Sequence, residues 1–395
     1  MCANRLVAGG TANGSFLHNA YGGRGGSASV QYLTMSSIIP FQGENDFLSN
    51  MHLCVVTKAG RQFCASEAGY QFGKAWVAED NYIADQITFC KTGFEAKKLS
   101  KQIQGIRPKQ WEQCKLAIIE GVVYSKFWQN PELLERLLET ASAILVEAAS
   151  DSIPRHRRDL FYGAGLTKNE LTKEDFHQFP GQNVMGNLLM NIRHSFKENE
   201  FTKLLVITDS QGSRLPHTDD NQLKIVSVSG AKVQDLIKIA SLAIHEKYRG
   251  CVILGGTNNI AINPWIPVRS RDGALQPRKT ASIMRQFRGL RRLGLHNPSA
   301  QFWIGEIPPR FDQPHNLPKR ASRFQLTVKR INKELQALTA SFQNSGIKVK
   351  LFPMFEDFND KVYFRNLEDG STDLHFSELG GRKLLDELRS LADAC

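Results

Sequence analysis

The chain has 395 residues, 41% of them hydrophobic and 23% charged, with a net charge of +11. That length exceeds one ordinary hydrophobic core and suits two domains, while the composition excludes a disordered chain and offers no apolar run long enough to cross a bilayer. The seven cysteines are scattered without CxxC or Cys/His spacing, so neither a disulfide framework nor a zinc site is expected, and no metal or cofactor.

The N-terminus lacks the basic-then-apolar layout of a signal peptide, and with the reduced cysteines this points to a cytoplasmic or nuclear protein. Residues 1–37 are rich in Gly and Ser, with Arg24 inside a run of four glycines, and read as a flexible leader. Residues 38–195 carry short apolar runs and amphipathic helices. Within them, Leu133, Leu134, Leu137, Leu138, Ile144 and Leu145 recur at helical spacing and predict a helix from Pro131 to Glu147. Residues 196–202 are polar and read as a linker.

From 203 to 395 the rhythm becomes strand, loop, helix. Strands are expected at 203–207, 224–228, 251–254, 302–304 and 347–352, with helices at 233–247 and 324–344. Such alternation predicts a parallel sheet covered on both faces. The segment Trp265–Arg330 holds fourteen Lys or Arg against three acids, an excess equal to that of the whole chain. It is either a solvated basic surface or a surface for the phosphates of a nucleic acid.

Glu67, Gln71 and Lys74 stand four and three residues apart, on one face of a helix. By themselves they could be a solvated stripe or a buried ion pair. Around them, in order, lie Phe47-Leu48-Ser49-Asn50, Trp111, Lys126-Phe127, Leu137-Leu138-Glu139-Thr140 and Leu145-Val146-Glu147. Asp159 with Tyr162-Gly163, then Asn183 through Arg193, complete the series. This ordered set resembles the NADAR family along residues 38–195. The resemblance implies an α+β, largely helical domain that hydrolyses N-glycosidic bonds of ribose phosphates or ADP-ribose, either riboflavin-pathway intermediates or ADP-ribosylated guanine. It further implies catalytic roles for Glu67, Lys74 and Asp159. Substrate contacts are implied for Ser49, Asn50, Gln71, Trp111, Tyr162, Gly163, Asn183 and Arg193, the last two holding either the ligand or the fold. Glu67 would stabilise positive charge on the sugar or activate water. Lys74 would pair with phosphate, or act as a Schiff-base nucleophile if desolvated. The chain departs from the family pattern at Ala68, often His, and at Tyr162, usually Trp.

The second half carries Asp209-Ser210, Ser229-Gly230, Gly255 to Asn259 and Asp373-Leu374-His375, in that order. These blocks resemble those of SGNH hydrolases, which implies a three-layer α/β flavodoxin-like domain over 203–395. The stretch Gly305 to Arg310 is similar to forms of this domain found in mobile genetic elements. The resemblance implies a Ser210 nucleophile, a His375 base, and an oxyanion hole from the N–H groups of Ser210 and Gly230 with Asn258. The orienting Asp, expected three residues before His375, is Thr372 here, and Asp373 stands one place later. Two enzymatic readings therefore stand, an N-glycosidase and a serine esterase or deacetylase, intact or degenerate. The third is a nucleic-acid-associated protein of a mobile element using both domains as binding modules. No membrane partner is expected, and the oligomeric state is open.

Overall fold

The computed structural model describes residues 37–172, 179–198, 204–216, 222–260, 277–309, 318–354, 357–359, 361–366 and 372–394, with the side chains of 277–280, 318–326, 361, 366 and 372–374 left aside. The expected leader, apart from Ser37, and residues 199–202 of the expected linker lie outside the described residues. Ser37–Cys395 forms one unit by its internal contacts.

The N-terminal half begins with β1 (Ile38–Phe41), then a hairpin of β2 (Val56–Lys58) and β3 (Arg61–Phe63) turned at Ala59 and Gly60, both with positive φ. Helix α1 (Ser66–Val77) follows, then α2 (Asn81–Ile87) and α3 (Gly93–Leu99), whose first turns are capped by the side chains of Asp80 and Thr92. Helices α4 (Pro108–Gln129) and α5 (Pro131–Glu139) each start on a proline, which suits a first-turn position that needs no N–H. Strand β4 (Ile144–Glu147) pairs in parallel with β1, and α6 (Lys168–Leu171) and α7 (Val184–Lys197) close this half.

The helix expected from Pro131 to Glu147 is thus a helix followed by a strand. Ala141 takes a left-handed conformation (φ 50°) after α5, and Leu145 and Val146 are both fully buried beside β1. A short strand buried on both faces is a continuous apolar run, and apolar periodicity cannot separate that from a helical stripe.

The C-terminal half runs β5 (Leu204–Thr208), β6 (Leu223–Ser227), α8 (Val233–Ala243), β7 (Gly250–Leu254), α9 (Thr257–Ile260), α10 (Pro277–Phe287), α11 (Gly289–His296), β8 (Gln301–Gly305), α12 (Pro318–Asn344) and β9 (Val349–Phe352). A hairpin of β10 (Phe364–Asn366) and β11 (Thr372–Phe376) then leads to α13 (Glu378–Asp393). The strand order is β6-β5-β7-β8-β9, every neighbour parallel. This is the doubly wound arrangement of the flavodoxin type, which gathers loops and ligands at the carboxyl edge of the strands.

Alternation along the strands divides the apolar residues between two layers. Leu204, Val206, Val252, Leu254 and Trp303 pack with Leu384, Leu385 and Leu388 of α13. Leu205, Ile207, Cys251, Ile253 and Phe302 face α8 and α11, in a cluster that continues without a break through Phe72, Ile118 and Phe127 of the N-terminal half. Among the described residues no helix is long and apolar enough to cross a membrane.

The continuity depends on a close helix crossing. A Cβ added to Gly121 of α4 would lie 2.2 Å from the carbonyl oxygen of Leu242 and 2.8 Å from the Cα of Ala243, both on α8. Beside it, the buried Lys58 ammonium donates to Ser125 Oγ (3.2 Å) and to the carbonyl of Ile244. Ile244 leaves helical geometry with ψ 136°, so α8 ends at Ala243 and not at Lys247 as expected. Helix propensity alone makes Gly121→Ala stabilising by about 0.5–1 kcal/mol. The crossing reverses the sign: we expect a net loss of about 1–3 kcal/mol in urea unfolding, and a stabilised variant would contradict the contact.

Candidate functional site

Helix α1 carries the first constellation because its apolar face is turned to the core while one stripe of polar side chains remains. Glu67 is buried at 6% exposure, and its Oε1 accepts a hydrogen bond from Gln71 Nε2 at 2.8 Å. Among the described residues no ion pair joins Glu67 to Lys74. The Ser49–Asn50 turn seats the start of α1: the Asn50 carbonyl accepts from the Glu67 N–H (2.9 Å), and Asn50 Oδ1 accepts from Ser66 Oγ (3.2 Å). Fully buried Lys126 holds that turn in turn, donating to the carbonyls of Phe47 (2.6 Å) and Ser49 (2.8 Å), and burial pulls its ammonium down to about 8.

An aromatic wall stands beside this stripe. Tyr70 and Tyr162 share a hydroxyl–hydroxyl hydrogen bond of 2.7 Å, and the Trp111 ring lies 5.4 Å from that of Tyr70. Lys74 lines a small crevice with Val77, Ile106, Arg107 and Trp111. Asp159 Oδ1 accepts from the N–H groups of Phe161 and Tyr162, both at 2.8 Å, which fixes the turn bearing Tyr162 and Gly163.

Three carboxylates sense one another here. Burial raises the Glu67 carboxyl above the ordinary range, and Asp159 adds to the rise while Lys97, Gln71 and Lys74 oppose it. Glu147, at the end of β4, is pushed up to about 7, first by burial and then by Asp159 and Glu67. Its Oε2 is buried without a hydrogen-bond partner. Glu147 was legible only as part of a motif. Its place in the cluster follows from the β1–β4 pairing, which the misread helix concealed.

Asn183 and Arg193, named from the resemblance as binding or structural residues, contact the backbone. Asn183 adopts φ 49° and clamps β4, accepting from the Glu147 N–H (3.0 Å) and donating to the Leu145 carbonyl (2.9 Å). Arg193 donates to Thr140 Oγ1 (2.7 Å) and the Ala143 carbonyl (2.9 Å). Gly163 enters the same frame through its carbonyl, which accepts from the Asn183 N–H at 3.2 Å. These residues hold Glu147 in place.

The second constellation lies at the carboxyl edge of the parallel sheet. The turn after β5 presents Ser210, and β11 brings His375 to it: Nε2 and Oγ are 3.1 Å apart across 165 residues of sequence. Gln211 Oε1 accepts from the Phe376 N–H (3.1 Å) and ties β11 to that turn. The side chain of Asp373 lies outside the described residues. Because β6, β5 and β7 are neighbours, the segments bearing Gly230, Ser210 and Asn258 emerge side by side. Asn258 Nδ2 donates to the Ala231 carbonyl at 3.0 Å, which leaves its amide a second N–H to donate. Asp209 beneath is buried, with its carboxyl pushed up to about 7 by desolvation.

In the basic window, the described part includes α11, on which Arg291 and Arg292 are exposed. Among the described residues no group of three His, Cys, Asp or Glu side chains could hold a metal ion.

The NADAR domain family profile matches residues 39–197. An N-glycosidase of Acanthamoeba polyphaga mimivirus is 30% identical over 132 residues, 33% of this chain and 74% of that protein. A riboflavin biosynthesis protein of Vibrio vulnificus (strain YJ016) is 27% identical over 170 residues, 43% of this chain but 40% of that protein's length. The esterase domain of the ORF1 protein from a zebrafish retrotransposon aligns with 21% identity and a TM-score of 0.21, covering 48% of this chain and 98% of that one.

The buried carboxyl of Glu147 has a measurable consequence. An acid raised from 4.5 to about 7 on folding favours the folded state while protonated. That contribution is whole below about 4.5 and vanishes as pH climbs through about 7. We expect Glu147→Gln to flatten the loss of stability between pH 5 and 8, by about 2 kcal/mol relative to wild type in urea titrations. Parallel pH profiles for the two proteins would contradict the burial-driven shift.

Proposed function

The chain belongs to the NADAR family, and we propose that its N-terminal half is a hydrolase of N-glycosidic bonds in ribose phosphate or ADP-ribose conjugates, acting at Glu67. The observation that carries this reading is the set of carboxyl groups at Glu67, Glu147 and Asp159, two of them raised by burial, beside the Tyr70–Tyr162–Trp111 wall. Cleavage sends the C1′–N electron pair to the leaving base, which must be protonated, and leaves positive charge on the sugar. A carboxyl held protonated near neutrality supplies that proton, and an ionised neighbour stabilises the cation and takes a proton from the incoming water. Glu147 suits the first task and Glu67 or Asp159 the second. Trp111 and the tyrosines offer faces for a base, and Lys74 a cation for phosphate. ADP-ribosylated guanine and riboflavin-pathway glycosides are the two substrate classes that fit this chemistry.

The Ser210–His375 contact supports a second activity, hydrolysis of an ester or acetyl group. Ser210 Oγ attacks the carbonyl carbon as its proton passes to His375 Nε2, and the oxyanion is held by N–H groups of Ser210, Gly230 and Asn258.

One set of variants tests both. Release of ADP-ribose from ADP-ribosylated guanine nucleic acid is expected to fall by at least about a hundredfold in Glu67→Gln and to survive in Ser210→Ala. Labelling by a serine-directed fluorophosphonate is expected in wild type and Glu67→Gln and absent from Ser210→Ala. Glycosidase activity untouched by Glu67→Gln, or labelling untouched by Ser210→Ala, contradicts the corresponding assignment.

A further inference from the structure

The loop after β6 carries Gly230, and β6 is the edge strand of the sheet. On its inner side that loop is tied to its neighbours: the Val228 N–H donates to the Thr208 carbonyl (2.8 Å), and Asn258 donates to the Ala231 carbonyl (3.0 Å). Among the described residues no strand continues the sheet on the outer side. Helix α4 of the N-terminal half stands there.

Two glutamines one turn apart on α4 grip the loop. Gln113 Oε1 accepts from the Ser229 N–H at 2.9 Å, and its Nε2 donates to Ser229 Oγ at 3.4 Å. Gln110 Nε2 donates to the Ser229 carbonyl at 2.9 Å. Nearby, Arg107 pairs with Asp235 at 3.2 Å, and Asp235 accepts from the Lys232 N–H at 3.0 Å, so the chain is pinned again just past the loop.

The Gln110 bond fixes a direction. In a planar trans peptide the C=O and the following N–H point opposite ways. With the Ser229 carbonyl turned to Gln110, the Gly230 N–H is aimed away from α4. Gly230 sits at φ +73°, and glycine tolerates both signs of φ, so its own backbone sterics do not prevent this peptide from flipping. A flip would turn the N–H back toward the helix.

We infer that Gln110 and Gln113 are positioning residues for the Ser210 centre: the N-terminal half sets the orientation of the oxyanion-hole peptide of the C-terminal half. This inference rests on the esterase reading of Ser210 and His375. The hydrogen bonds of both glutamine side chains go to Ser229. Gln110 acts through the Ser229–Gly230 peptide and Gln113 through the N–H and hydroxyl of Ser229 beside it, so the esterase centre draws on α4.

The test uses the full chain, with 4-nitrophenyl acetate as substrate, in Gln110→Met, which keeps length but removes the donor, and Gln110→Lys, which restores one. Loss of one oxyanion donor typically costs about 10²–10³ in kcat. Partial misorientation in Gln110→Met is therefore expected to lower kcat by about tenfold or more, with KM nearly unchanged, and Gln110→Lys to recover most of it. Ser210-dependent turnover that is equal in wild type and Gln110→Met overturns the inference. Hydrogen exchange of the amides at 228–232 gives a readout that needs no turnover. Faster exchange there in Gln110→Met, with β5 and β7 unchanged, supports the grip, and identical exchange overturns it. If wild-type turnover is missing or survives Ser210→Ala, the esterase reading fails on its own, and the exchange result still decides whether α4 holds the loop.

Discussion

The closeness of α4 to α8 governs the rest of the molecule. Only a residue without a Cβ lets the α8 backbone come as near to α4 as it does at Gly121. That approach lets a single apolar cluster run from the N-terminal helices into one face of the parallel sheet. It also traps polar groups that must then find partners. Lys58 donates to Ser125 and the Ile244 carbonyl, and burial draws its ammonium down to about 8. His245 stacks on Tyr124 at 4.0 Å, and burial holds its imidazole well below the ordinary range. A buried cation with its hydrogen bonds made is costly to strand, so a slide that keeps Lys58 buried but parts it from Ser125 and the Ile244 carbonyl is disfavoured.

The same burial that joins the halves tunes the candidate sites. Desolvation is the leading cause of the raised carboxyls at Glu67, Glu147 and Asp209. At Glu67 and Glu147 like charges add to it, so a proton lost from Glu67 bears on Glu147. Asn183 and Arg193 contribute from outside the cluster by fixing β4, and so the position of Glu147. Lys126 contributes by fixing the turn on which α1 begins. The apparatus around the carboxyls is thus largely a device for holding backbone.

Much of this was legible in the chain itself, for a definable reason. Glu67, Gln71 and Lys74 are related by local helical spacing, and the strands of the second half are apolar runs bounded by turn residues. Both signals are written within a few residues. Ser210 and His375 were legible as separate blocks, and the order β6-β5-β7-β8-β9 with the β10–β11 hairpin explains how two residues 165 positions apart return to a 3.1 Å contact. What stayed hidden depends on packing between distant segments. Glu147 was obscured because a doubly buried strand imitates a helical stripe. Gln110 and Gln113 carried no local signal, since polar residues near a helix start usually face water. Nor does any local pattern in α4 mark Gly121 as the point where α8 crosses.

If the α4–α8 crossing makes the two halves one cooperative structure, they should unfold together. The direct measurement is native-state hydrogen exchange across increasing urea, comparing amides of α1 and α4 with those of β5 and β7. The slowest amides of both halves are expected to merge into one global opening, with the same free energy and the same denaturant slope. Two separate openings, with the sheet still protected after α1 and α4 have exchanged, would contradict it.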